Sequence, residues 1–120
     1  MNKWALLEHK VYSANSLGIH YDFLVEDVND CLTWKFLKLP LLNQASIEIY
    51  KQPNHRLVWL SRIEHELSEN RGFVKRIDHG IFKNVSDKLD SEYYRFILDG
   101  ELLSGLFEIS ANSCRLSRNY

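Results

Sequence analysis

Hydrophobic and polar positions alternate along most of the chain in short runs, and that period of two predicts strands rather than helices. The run Ile19-His20-Tyr21-Asp22-Phe23-Leu24-Val25-Glu26-Asp27 shows it best. In an extended strand His20, Asp22, Leu24 and Glu26 share one face, and Tyr21, Phe23 and Val25 share the other. Residues 4–9 read as a first strand of mixed polarity, joined to this one by the turn-rich residues 13–18. Val28-Asn29-Asp30 has turn chemistry, and residues 31–37 complete a hairpin in which Trp34 and Phe36 share a face.

Pro40 interrupts the pattern, and residues 39–44 fit a loop or a single helical turn. Alternation returns at 46–51 and again at 56–60 after the break Gln52-Pro53-Asn54. Residues 61–69 are the most helix-compatible stretch, short enough to be a loop instead. Residues 72–82 are extended, and 85–92 are polar enough for a loop or helical turn. Strands at 93–98 and 102–109 flank Asp99-Gly100, a strong hairpin signal, and residues 114–116 are placed to close the sheet. Many short strands with turn signals between them predict a mainly β fold, a small antiparallel β-barrel with one or two short helical segments. Tyr21, Phe23, Trp34, Trp59 and Phe107 are its expected aromatic core.

At 120 residues the chain is one domain, residues 1–120, large enough to bury roughly two thirds of its unfolded surface. No apolar run approaches membrane-spanning length, and the start of the chain lacks the pattern of a signal peptide, so a soluble cytoplasmic protein with no membrane partner is expected. Cys31 and Cys114 lack metal-binding spacing and are expected as free thiols, Cys31 packing at the start of a strand. The net charge of −1 offers no global attraction for a nucleic-acid backbone. Basic residues do gather in the middle third (Lys51, His55, Arg56, Arg62, Arg71, Lys75, Arg76), with acidic residues among them.

An imidazole and a carboxylate two residues apart, backed by an apolar face, form a rigid platform for a metal ion or a phosphate. The same pattern also describes the wet side of a half-buried strand, and His-x-Asp is too short to decide between the two.

The order of motifs adds to this. His20-Tyr21-Asp22-Phe23, Leu32-Thr33-Trp34, the run from Pro53 to Leu60, Asn70-Arg71-Gly72-Phe73-Val74, Asp78-His79-Gly80 and the run from Leu98 to Gly105 together resemble the 3′-phosphoesterase domain of bacterial ligase D. The likeness extends from about Lys3 to Arg118 and marks a short, stand-alone, divergent member. It implies a β-barrel hydrolase that removes 3′ phosphates from DNA ends in repair, using manganese or zinc. It places His20 and Asp22 as metal ligands and His55 as the catalytic phosphate-contacting histidine; Arg56, beside His55, and Arg71, before Gly72, are the phosphate-binding candidates that could compensate for what is missing. The implied partners are nucleic-acid 3′ ends and a separately encoded DNA ligase or polymerase. Three positions depart from the family pattern: Ala14 where a metal histidine stands, Leu24 in place of an arginine, and Trp59 in place of a tyrosine. His9 or Glu8, Arg56 and Arg71 are the groups available to fill those places. With them unfilled, the alternative is a non-catalytic β-barrel module that binds a nucleic-acid end, a phosphorylated ligand or a protein partner.

Overall fold

A computed structural model describes residues 2–13, 16–67, 72–86 and 92–118. The strands are β1 (Lys3–Ser13), β2 (Ser16–Glu26), β3 (Cys31–Phe36), β4 (Ile47–His55), β5 (Glu64–Leu67), β6 (Gly72–Asn84), β7 (Tyr93–Asp99), β8 (Ser104–Ser110) and β9 (Ser113–Ser117). They form one nine-stranded sheet, and every ladder between named strands is antiparallel. The order β1-β2-β3-β4-β9-β8-β7-β6 returns to β1 and closes a ring, with β5 added on β6. The long strand β6 makes the closure, pairing β1 along residues 72–81 and β7 through residues 82–84. An irregularity at Leu6/Leu7 sets Ile77 outside the β1–β6 ladder, as in a β-bulge, which bends a strand.

The sheet is buried on two sides at unequal depth. Inside the ring Trp4, Leu6, Phe23, Trp34, Phe36, Phe82, Phe96 and Phe107 form a dense aromatic core, with Phe23 and Phe107 edge to face at 4.9 Å. Outside it, a second, smaller cluster joins Ala5, Leu7, Leu24, Cys31, Leu60 and Val74. Hence Trp4-Ala5-Leu6-Leu7 is apolar without interruption, and all four residues are buried. A strand covered on both faces has no polar side to display.

Burial pushes both thiols up, Cys31 to about 11 and Cys114 to about 12, so both are free and unreactive. Cys31 opens β3 as expected, and β9 closes the ring through Ile47↔Cys114.

Several elements differ from the sequence expectation. Residues 57–60 form a 3₁₀ turn instead of a strand, with the Trp59 amide donating to the Arg56 carbonyl at 3.1 Å. This turn lowers Leu60 onto the outer cluster, which a flat strand would not do. Four apolar residues are too few for periodicity to separate the alternatives. Residues 64–67, expected as helix or loop, are β5, held by register with β6. The turn expected at 13–18 is shorter, because β1 and β2 continue to Ser13 and Ser16; Ala14 and Asn15 lie outside the described residues. Most of the 85–92 segment also lies outside them. The Asp99-Gly100 hairpin is a wider loop through Leu103, whose backbone amides are gathered by a buried carboxylate at Asp78. Among the described residues, no helix is long and apolar enough to cross a membrane.

Candidate metal centre

The β1–β2 ladder sets His9 directly opposite His20 and Leu7 opposite Asp22. Paired residues in an antiparallel ladder point to the same side, so His9, His20 and Asp22 meet on the outer face of the sheet. His9 Nδ1 lies 3.1 Å from His20 Nε2, and His20 Nε2 lies 3.6 Å from an Asp22 carboxylate oxygen. The two rings meet edge to face with centroids 4.5 Å apart. One ligating atom from each residue falls within 4.8 Å of the other two. Two imidazoles and one carboxylate on rigid strands form a possible metal-binding triad, able to cap one side of a divalent cation and leave its other positions open.

The triad has a firm lower edge. Leu7 and Leu24, neighbours on the same outer face, are fully buried in the smaller cluster beneath Leu60. Asp22 itself is only 8% exposed, while both histidines are partly buried. Burial, first of all, holds the His9 pKa below the ordinary histidine value, and the neighbouring His20 pushes it the same way against the opposing pull of Asp22. Its Nδ1 faces His20, while its Nε2 is buried without a hydrogen-bond partner. The lowered pKa favours the neutral ring, the form in which imidazole ligates a metal.

A depressed histidine pKa makes the unfolded chain the better proton acceptor below about pH 6.5. Its stabilising contribution is complete above that value and is lost as pH falls towards the folded-state pKa. In urea titrations of metal-free protein, the unfolding free energy is expected to hold steady above about pH 6.5 and to drop as the pH falls below it. His9→Gln is expected to flatten that decline; an unchanged slope would remove His9 as its source.

Of the site residues assigned from the sequence, His20 and Asp22 are brought together, and among the described residues His55 and Arg56 do not join them. His55 ends β4 opposite Cys31, partly buried, with its Nδ1 3.1 Å from the Pro53 carbonyl. Its ring is not one of the three clustered ligands. Arg56 is exposed at the start of the 3₁₀ turn, and its carbonyl accepts a weak hydrogen bond from the Cys31 thiol. Arg71 and Ala14 lie outside the described residues. Leu24 is part of the outer core. Trp59 is half-buried over that core, with the Arg62 guanidinium 4.9 Å from its ring centre and the His65 ring edge to face. Sequence reasoning offered His9 only as one of several possible fillers. A short β1–β2 connection centred on 14–15 was the signal that would have placed it opposite His20.

Comparison with models of known protein families finds no match, and no curated protein matches the chain.

Proposed function

We propose that the chain is a metal-dependent phosphoesterase acting on 3′-phosphorylated nucleic-acid ends. The observation that carries this reading is the arrival of His9 beside His20 and Asp22, which supplies a third ligand where the resembling enzymes use a histidine at the position of Ala14. The order of motifs along the chain supports the substrate class. Manganese suits two imidazoles and a carboxylate with several open positions, and zinc would accept the same donors. When bound, such an ion polarises a phosphoryl oxygen and lowers the pKa of a coordinated water.

In this reading His9 and His20 present neutral nitrogens, and the buried Asp22 offsets the charge of the cation. The bonds of the β1–β2 ladder fix all three, so little reorganisation accompanies binding. His55 stands at the edge of the same field as a group to contact a phosphate oxygen. A ligase or polymerase encoded separately would then use the cleaned end.

The test is release of inorganic phosphate from a 3′-phosphorylated primer–template with manganese, comparing wild type with His20→Ala. Metal-dependent release by wild type, lost in the variant, is the expected result. No release by folded wild type with manganese, zinc or magnesium would reject the enzyme. The second reading, a binding module without turnover, is favoured by one observation: Leu24 is locked into the outer core at the position of the family's clamping arginine.

A further inference from the structure

The fourth polar group on the outer face near the triad is Lys35. The β2–β3 ladder pairs Asp22 with Lys35, so the two side chains rise from the same face of adjacent strands. Their Cβ atoms are then roughly 5 Å apart. A lysine opposite an aspartate ordinarily closes a salt bridge, but here the Asp22 carboxylate is turned towards His20. Lys35 is partly buried, and among the described residues its ammonium makes no hydrogen bond or ion pair. Lys51 provides a contrast on the other face of the sheet: its ammonium is spent on the Gln52 carbonyl at 2.7 Å and the Asn54 side chain at 3.2 Å.

An ammonium left unpaired beside the triad has no carboxylate to neutralise it. It opposes a cation at the triad, which lies on the same face one strand away. Such a group is useful when the ligand brings negative charge of its own. The position two residues beyond Asp22 cannot supply it, because Leu24 is committed to the core.

We propose that Lys35 is the anion-binding side chain of this centre, gripping the terminal phosphate of a phosphomonoester while the metal held by His9, His20 and Asp22 contacts the same group. This rests on the metal reading above. Lys35 provides a flexible point charge with three donors, where an arginine would provide a planar fork. It therefore selects a compact dianion at a chain terminus over an internal phosphodiester, which carries one negative charge and is flanked on both sides.

The probes are manganese alone and then inorganic phosphate on the manganese-loaded protein, each followed by calorimetric titration. Lys35→Met and Lys35→Gln are compared with wild type, with Lys35→Arg as the charge-keeping control, and all are checked for wild-type melting. Removing the ammonium is expected to leave manganese affinity unchanged or slightly tighter and to weaken phosphate about tenfold or more. Lys35→Arg is expected to retain most of the phosphate affinity. Wild type that takes up no manganese fails in the first titration and removes the metal reading together with this one. Manganese uptake with equal phosphate affinity in wild type and the charge-removing variants overturns the role of Lys35 alone.

Discussion

Alanine at His9 is expected to lower manganese affinity at least about 100-fold, as severely as alanine at His20, because even groups that only orient a ligand typically cost 10–100-fold. Either change leaves one imidazole and one carboxylate, a pair that holds a divalent cation weakly and mostly hydrated. The fold is expected to survive both. The rings stand on the outer face and are only partly buried, while the dense aromatic core lies on the opposite side of β1 and β2. Removing His9 also removes a buried nitrogen that has no partner. The melting temperature of metal-free His9→Ala near pH 7 should therefore stay close to that of wild type. Metal uptake by wild type should itself weaken below about pH 6.5, where protons compete for the imidazoles. Calorimetry at several pH values on the two variants decides the matter. If His20→Ala abolishes binding and His9→Ala does not, the third ligand is elsewhere and the His9–His20 contact is only a hydrogen bond.

Alternation alone put His20 and Asp22 on one face, and it located most of the strands. The aromatic core was equally legible: Phe23, Trp34 and Phe107 are fully buried, and Tyr21 packs against them. Features that depend on register were not legible. His9 becomes a site residue only through its partner across the hairpin, and Lys35 only through its place opposite Asp22. The second cluster was hidden for a related reason. Leu24 sits in period with His20 and Asp22 and so reads as part of a polar face, until the 3₁₀ turn folds Leu60 over it. Burial on the outside of a ring is decided by what a later segment covers, and no local pattern in β2 records that.

The motifs singled out in the sequence also divide into two physical kinds. His20 and Asp22 build the candidate centre, whereas Asp78-His79-Gly80 and Asp99-Gly100 build the fold. Asp78 is 5% exposed, and its carboxylate accepts from four backbone amides: His79 at 3.0 Å and Glu101 at 2.9 Å on one oxygen, Leu102 at 2.9 Å and Leu103 at 2.8 Å on the other. These bonds pin the β7–β8 loop to β6 and seat Leu103 in the main core. Gly100 is part of the same joint, since a Cβ there would run into the Asp78 carboxylate and the Trp4 ring.

Asp78→Ala is expected to destabilise the protein by about 3 kcal/mol, since the buried Leu103 amide left without its acceptor costs roughly 1–3 kcal/mol and three part-buried amides lose theirs with it, at a smaller and non-additive cost. At this chain length that corresponds to a fall in melting temperature of about 10 °C or more. Asp78→Asn should be nearly as harmful, because its amide group would face backbone donors with donors of its own. Hydrogen exchange should show the loss first at Glu101, Leu102 and Leu103. Manganese affinity, measured well below the melting transition, should remain at the wild-type level, because Asp78 spends both oxygens on backbone amides. A folded Asp78→Ala protein that no longer binds the metal would instead assign this carboxylate to the site, and the division between the two kinds of motif would fall.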